Sequence, residues 1–242
     1  HQCVILVKHQ NSGTQIAFLF LSCCYKKTIF WLLSSWRFIT GCTVRCVQFY
    51  SAAPSSLFIF LFIFILFLIS IGVYLTTLPN EFAVVDDLHG YIENTEIRSV
   101  AKSFLSLHIQ NITYSINYSL FGINPLPLRI FTLLDHALAS IFVFLIIQSL
   151  FSKKVAYIAS LLFAVHPVNS EAVNWISAQF YILMANFQFA AILSHIAYRK
   201  THNKKFLYLT VGIITLYLIF FQHPWVLTAP IVIGIIDFLI LH

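Results

Sequence analysis

A run of apolar residues at positions 55–78 most constrains what this 242-residue chain can fold into. Its central part, residues 57–73, contains no charged residue. A helix needs about 20 apolar residues to cross a bilayer, and this run is long enough. The composition agrees, because 60% of the residues are hydrophobic and only 9% are charged, whereas soluble domains carry roughly 25% charged residues. The sequence therefore predicts an all-α, polytopic membrane protein.

Five further apolar runs alternate with polar joints, which predicts about six transmembrane helices in total. These runs are residues 128–151, 155–165, 178–198, 206–221 and 225–241. The run 155–165 rises only about 17 Å as a helix, well short of a hydrocarbon core of about 30 Å. It spans only if the helix continues through Pro167 towards Ile176, and a re-entrant pair of half-helices is the alternative.

The basic residues predict the orientation of these helices. If every apolar run spans, Lys153-Lys154 and residues 199–205 fall on one side, which the positive-inside rule makes cytoplasmic. The loop 79–127, the segment 166–177 and the joint 222–225 then face the other side together. The net charge of +6 comes from basic residues that cluster at the ends of the apolar runs. It therefore gives no reason to expect nucleic acid as a partner, and the lipid bilayer is the expected partner.

Residues 1–52 differ in composition from the rest of the chain. They contain all five cysteines and no acidic residue. We expect residues 1–52 to be an N-terminal extension that need not belong to the fold, with one marginal helix at residues 28–40. A transmembrane domain, truncated at its C-terminus, is expected over residues 53–242. Cys42 and Cys46 lack a second pair with zinc-like spacing, so the sequence predicts no metal site.

The first polar loop contains a helical pattern over residues 97–120. Apolar residues recur there at a spacing of three to five, close to the helix period of 3.6. They are Ile97, Val100, Phe104, Leu107, Ile112, Ile116 and Leu120. This pattern predicts a helix lying in the membrane interface. An ordinary loop helix packed on the spans is the alternative.

The same loop concentrates the acidic residues, since five of the eight in the chain fall between Glu81 and Glu96. Asp86 and Asp87 are adjacent, and adjacent carboxylates repel, so one of them can stay protonated near neutral pH as an acid or base requires. A pair of solvated turn residues is the alternative. Glu171 either caps a helix in its first turn or has a functional role.

Four motifs resemble the transmembrane and tetratricopeptide-repeat O-mannosyltransferases and their bacterial relatives. The segment that ends in Asp86-Asp87 is similar to the first-loop signature of that family. The stretch from Asn117 resembles "NYxLFGxNP", and the stretch from Leu133 resembles "LLxHAL". The stretch from Phe163 resembles "FAxHPxxxEAVxWIS" and is the strongest match. The motifs occur in family order over residues 57–241.

This resemblance implies a GT-C glycosyltransferase in a bacterial inner membrane or the endoplasmic reticulum. Such an enzyme moves a mannose-like sugar from a polyprenyl-phosphate, dolichol-like donor to a protein or glycan acceptor on the extracytoplasmic side. Asp86 or Asp87 would act as general base, and no cofactor is expected. The leaving phosphate needs cations or hydrogen-bond donors. The candidates for binding the donor phosphate or the acceptor are Arg98, Lys102, Arg129, His136, His166 and Glu171.

The chain departs from the family pattern at three places where family members often carry charged residues. These places are Leu107-His108, Gln179-Phe180-Tyr181 and Gln222-His223. A non-catalytic membrane scaffold or a lapsed enzyme would explain them. A transporter, with intramembrane polar groups and a broken helix at Asp135, His136 and Pro167, is a further alternative. The Asp135-His136 pair would then suit a proton relay. A hydrogen bond between helices is the structural interpretation of this Asp-His pair.

Overall fold

The computed structural model describes residues 2–7, 19–22, 44–48, 56–83 and 86–239. It divides into two compact units, residues 1–58 and 59–242. The first unit contains an antiparallel sheet in which the first strand pairs with both others. Its strands are β1 (Gln2–Val7), β2 (Leu19–Ser22) and β3 (Val44–Gln48). The helix expected at residues 28–40 lies outside the described residues.

Beyond the strands, the described chain is helical, which confirms the predicted all-α, polytopic class. The α-helices are α1 (Ser56–Gly72), α2 (Val100–Leu105), α3 (Ile109–Phe121), α4 (Pro125–Leu150), α5 (Lys153–Val165), α6 (Ser170–Asn174), α7 (Gln179–Thr201), α8 (Lys204–Phe221) and α9 (Thr228–Leu239). Short 3-10 turns cover Leu75–Thr77, Glu96–Arg98, Pro167–Asn169, Ile176–Ala178 and Pro224–Leu227, and a π-helical turn covers Leu88–Ile92.

Four stretches, rather than the expected six or so, are long and apolar enough to cross a membrane. Within the described residues they are Leu57–Thr77, Pro125–Leu150, Ile176–Thr201 and Lys204–Phe221. The runs at 155–165 and 225–241 form the shorter helices α5 and α9. The four long stretches make this chain an integral membrane protein.

Helices α4 and α7 run parallel to each other. Arg129, near the start of α4, donates to the carbonyl oxygen of Asn174, which precedes α7 (2.8 Å). At the other extreme, the Lys200 ammonium near the end of α7 donates to the carbonyl oxygen of Ser149 near the end of α4. We call the end of the bundle at Arg129 and Asn174 the loop end. The end at Ser149 and Lys200 is the basic end.

Helix α5 returns from the basic end to the loop end. The Tyr157 ring stacks on Phe144 (5.6 Å) in the basic half of α4, and the Ala164 carbonyl lies 3.1 Å from the His136 ring in its other half. The helix stops at Val165 because His166 has an extended backbone (ψ 127°) and Pro167 opens a separate 3-10 turn. A residue before proline avoids the helical region. The continuation through Pro167 therefore does not form.

Helices α8 and α9 continue the alternation of helix direction between the basic end and the loop end. Gln222, just after α8, donates to the carbonyl oxygen of Leu107 at the loop end (3.2 Å). Asp237 in α9 forms an ion pair with Arg199 at the basic end (Nε–Oδ1 2.7 Å). The later apolar runs therefore alternate in direction, as their order in the sequence predicted, although two of them are short.

The helix expected over residues 97–120 is broken into a 3-10 turn, α2 and α3. The break lies at Leu107, whose backbone is left-handed (φ 52°), and His108 is extended before α3 begins. A break leaves main-chain carbonyls without helical partners. Gln222 supplies a donor to those of Ser106 and Leu107 (both 3.2 Å). Placement of this segment in the membrane interface stays a prediction.

Candidate functional site

Asp87 ties the first polar loop to the start of α7. Its side chain is fully buried. Oδ1 accepts hydrogen bonds from the Ser177 main-chain nitrogen (2.9 Å) and hydroxyl (2.5 Å), and Oδ2 accepts one from the Ala83 nitrogen (2.8 Å). Bonds to a carboxylate are roughly twice as strong as bonds between neutral groups. Two segments 90 residues apart in sequence are thereby held together.

Asp86 has the opposite environment, because it is exposed. Both residues lie in a helical turn, in which neighbouring side chains are about 100° apart around the axis. One carboxylate therefore points into the protein while the next remains accessible to a ligand. The pair therefore divides into a buried, anchored member and an exposed, available member.

Arg129 holds the same loop from the side of α4. Its side chain is 4% exposed. The guanidinium donates through Nε to the Asn80 carbonyl (2.9 Å), through Nη2 to the Glu81 carbonyl (2.7 Å) and through Nη1 to the Asn174 carbonyl (2.8 Å). The charged group is thus already engaged with main-chain oxygens, and it positions the loop rather than facing a ligand.

A shallow cleft of about 420 Å³ lies between the first loop and α6. It is lined by Ala83, Ser170, Glu171, Asn174 and Trp175. Ala83 is also a partner of Asp87, and Asn174 is a partner of Arg129. Glu171 is exposed in this cleft. The structure therefore brings Glu171 next to the segment that Asp87 anchors.

The other predicted site residues lie elsewhere. His166 is exposed, and its Nδ1 accepts from the Val168 nitrogen at the start of the following turn (3.1 Å). Arg98 and Lys102 are exposed on the first loop, and neither lines the cleft. In the described parts of the chain, no hydrogen bond joins His166 to Asp87 or Glu171.

His136 and Asp135 lie inside the bundle. His136 is 1% exposed, its Nε2 is 3.1 Å from the Ala164 carbonyl, and its ring meets Tyr74 edge-on at 5.2 Å. Asp135 Oδ1 accepts from the Asn186 amide on α7 (2.7 Å). These contacts are hydrogen bonds between packed helices, as the structural interpretation of the Asp-His pair expected.

Two buried tyrosines, which the sequence did not single out, fix α3 to its surroundings. The Tyr91 hydroxyl lies 2.6 Å from Asn117 Oδ1 and 2.9 Å from the Gly122 carbonyl. The Tyr114 hydroxyl donates to the Ile176 carbonyl (3.0 Å). Burial, with a smaller effect from a neighbouring tyrosine, raises the pKa of Tyr91 to about 12. Burial also raises the pKa of Tyr114. Both hydroxyls therefore remain neutral donors at physiological pH.

The three departures from the family pattern contact one another at the loop end. His108 stacks on Phe180 with ring centres 5.6 Å apart, and His223 lies 5.9 Å from Phe180. Gln222 donates to the Leu107 carbonyl (3.2 Å). The departures thus form one contiguous group. Across the described ranges, no group of three or more metal-ligating side chains is present.

The helices and the polar loop end define a multi-pass helical membrane protein. In sequence, the chain is similar to proteins named as O-mannosyl-transferases. It is 33% identical over 94 residues to Protein O-mannosyl-transferase TMTC3 of Homo sapiens, a match that covers 39% of this chain and 10% of that protein. It is 29% identical over 168 residues to Protein O-mannosyl-transferase F38B6.6 of Caenorhabditis elegans, covering 59% of this chain and 24% of that protein.

These similarities confirm the resemblance found in the motifs. The chain spans only about a tenth to a quarter of the length of these relatives. No protein-family model matches the chain. No solved structure matches it either.

Proposed function

We propose that this chain forms part of a membrane glycosyltransferase. The enzyme transfers a mannose-like sugar from a polyprenyl-phosphate donor to a protein or glycan acceptor on the extracytoplasmic side. The observation that carries the proposal is the pair at the loop end, where buried Asp87 anchors the turn and Asp86 beside it stays exposed. The names of the similar proteins support the same reaction class.

The proposed step needs one base and one leaving group. An acceptor hydroxyl oxygen bonds to the anomeric carbon of the sugar while the bond from that carbon to the phosphate oxygen breaks. Asp86 takes the hydroxyl proton, and the polyprenyl phosphate leaves with the electron pair. A positioned base typically contributes ~10²–10⁴-fold. Asp87 is the positioning residue, because its hydrogen bonds to Ser177 and Ala83 fix the turn that carries Asp86.

Five of the six remaining predicted site residues are assigned from their environments, and His166, which accepts from the Val168 nitrogen, is given no role in the transfer. Arg98 and Lys102 are exposed cations of the first loop and are proposed to attract the donor phosphate. Glu171, exposed in the cleft, is proposed to accept hydrogen bonds from the acceptor. His136 and Arg129 are bonded to main-chain carbonyls, so we assign them to holding the fold of the site.

The proposed orientation places the loop end outside the cytoplasm, because the basic residues gather at the opposite end. It is tested with single cysteines after the native cysteines, five of which lie in this chain, are replaced by serine. Thr95 and Thr201 are both exposed, one in the first loop and the other at the basic end. In sealed microsomes, Thr201→Cys should react with an impermeant maleimide, and Thr95→Cys only after detergent is added. The reverse pattern refutes the orientation.

The reaction itself is tested on the full-length protein with a mannosyl-phosphoryl-polyprenol donor. Asp86→Asn keeps the size of the side chain but cannot accept a proton, so transfer should fall ~10²-fold or more with an unchanged melting temperature. Asp87→Asn should lower both the transfer rate and the melting temperature. The amide nitrogen of asparagine cannot accept the hydrogen bond that Asp87 Oδ2 accepts from the Ala83 nitrogen.

Glu96→Gln is the matched control, because Glu96 is an exposed acid of the same loop. Its activity should stay close to that of the wild type. Unchanged transfer in Asp86→Asn would exclude the proposed base. An inactive wild type, with donor binding retained, would favour the lapsed enzyme.

A further inference from the structure

A cluster of four rings lies at the loop end of the bundle. We call His108, Phe180, Tyr181 and His223 the ring cluster. His108 stacks on Phe180 (5.6 Å between centres, 19° between planes), and Tyr181 meets the same ring edge-on (5.6 Å, 72°). His223 lies edge-on to Tyr181 (6.3 Å, 89°). Three chain segments thus contribute to one aromatic surface.

This surface is open on one side. Phe180 is 7% exposed and forms the buried base of the cluster, whereas Tyr181 is 49% exposed. Trp225, two residues beyond His223, is 63% exposed. Aromatic rings dominate binding energetics because each offers a large apolar face with a polar edge. The open side is therefore suited to a small ligand rather than to further core packing.

Buried polar atoms without partners occur at the same end. Gln179 is 2% exposed, and neither its amide nitrogen nor its amide oxygen has a hydrogen-bond partner in the described part of the chain. The same holds for Nδ1 of His108. A buried polar atom left unpaired costs about 1–3 kcal/mol. These atoms offer both donor and acceptor groups that a polar ligand would satisfy.

The ring cluster adjoins the segment held by Asp87. Ser177 binds Asp87 and precedes Phe180 by three residues, about 5–6 Å along a helical axis. The Gln110 amide donates to the Ser177 carbonyl (3.2 Å), and Ile109 packs against the core that contains Phe180. A ligand on the ring cluster would therefore lie close to the acidic turn.

These features fit the chemistry of a sugar. A hexose presents apolar C–H faces, which contact aromatic rings, and hydroxyl groups, which bond to amides and imidazoles. The members of the ring cluster and Gln179 carry no carboxylate, ammonium or guanidinium, which favours a neutral ligand. We infer that the ring cluster, with Gln179, binds the hexose ring that is transferred. This inference rests on the proposed function and names the surface that holds the sugar.

The test is saturation-transfer NMR of methyl α-mannopyranoside with the full-length protein in nanodiscs. Saturable binding is expected for the wild type. Tyr181→Leu and His223→Leu should each weaken it tenfold or more, and Tyr181→Phe, which keeps the ring, should bind within about threefold of the wild type. Equal binding by the wild type and both leucine variants would overturn the inference, as would no saturation up to about 100 mM ligand.

The control is Tyr208→Leu, which removes a tyrosine that is 69% exposed near the start of α8. It should leave binding unchanged. Melting temperatures identify a variant that fails to fold, and the other leucine variant then tests the site. Asp86→Asn separates the two proposals, because it should lower transfer ~10²-fold or more and retain sugar binding. If Asp86→Asn retained transfer while Tyr181→Leu and His223→Leu lost sugar binding, Asp86 would be refuted as the base and the ring cluster would remain supported as the sugar site.

Discussion

Replacing Arg129 with methionine tests whether a single side chain holds the loop end together. Its three hydrogen bonds to the carbonyls of Asn80, Glu81 and Asn174 are 2.7–2.9 Å long. A hydrogen bond to a charged group contributes about 1.5–3 kcal/mol, so the three together give an upper bound of about 4.5–9 kcal/mol. Asn80 and Glu81 are exposed, so water replaces part of this loss. Removing a buried charge also recovers desolvation energy.

We therefore expect Arg129→Met to lower the free energy of unfolding by about 2–4 kcal/mol. For a domain of 150–250 residues this is about 5–15 °C in melting temperature. The assay is thermal unfolding in detergent, followed by tryptophan fluorescence. Arg98→Met is the matched control, because Arg98 is an exposed arginine of the same loop, and it should change stability by less than about 0.5 kcal/mol. Equal melting temperatures for the two variants would refute the assigned role of Arg129.

Three further perturbations follow from the described contacts. Tyr91→Phe leaves Asn117 Oδ1 and the Gly122 carbonyl without this donor, so it should cost about 1–3 kcal/mol in thermal unfolding. A double-mutant cycle of Asp135→Ala and Asn186→Ala should give a coupling energy of about 0.6 kcal/mol and at most about 1.7 kcal/mol; zero coupling would contradict the contact between α4 and α7. Burial lowers the pKa of His108 below its ordinary value of 6.5. The stability that the neutral His108 ring contributes is therefore fully present above pH 6.5, and it is lost as the pH falls through the lowered pKa. His108→Gln should reduce the loss of melting temperature between pH 7 and pH 5, and an unchanged pH profile would count against this origin.

The order and direction of the helices could be predicted from the sequence, because apolar length and basic flanks are local properties. The short length of the third run was also evident, because residues 155–165 are fewer than the roughly 20 residues that a spanning helix needs. Within the described residues, α5 and α9 are apolar but shorter than the four stretches that are long enough to cross a membrane. Their contacts with longer neighbours, such as Tyr157 with Phe144, depend on residues that are remote from them in sequence.

That the two adjacent acids point in different directions could be predicted, but the sequence alone did not show which of them is buried. Asp86 and Asp87 are chemically identical, and the hydrogen bonds that distinguish Asp87 include two from Ser177, 90 residues later. The role of Arg129 was missed for the same reason, because its partners are main-chain carbonyls that no motif marks. The expected helix is interrupted at Leu107, where the distant Gln222 donates to the freed carbonyls. In each case a long-range polar contact decided what a local pattern left open.

The shortness of α5 has a consequence for how the protein is made. Its 13 residues reach only about 20 Å and begin with two lysines, so α5 alone is a poor substrate for insertion into a hydrocarbon core of about 30 Å. One face of α5, which carries Ala156 and Ala164, packs against α1 and α4 through Phe62 and Phe144, while Ile158 and Leu162 are exposed. We expect α5 to enter the membrane only after these neighbours are in place. A reporter fused after Val165 should show integration with α1 and α4 present and none with α5 alone; integration of the isolated segment would contradict this order. Biogenesis of the bundle is then cooperative, with an early helical pair serving as the template for a later, shorter helix.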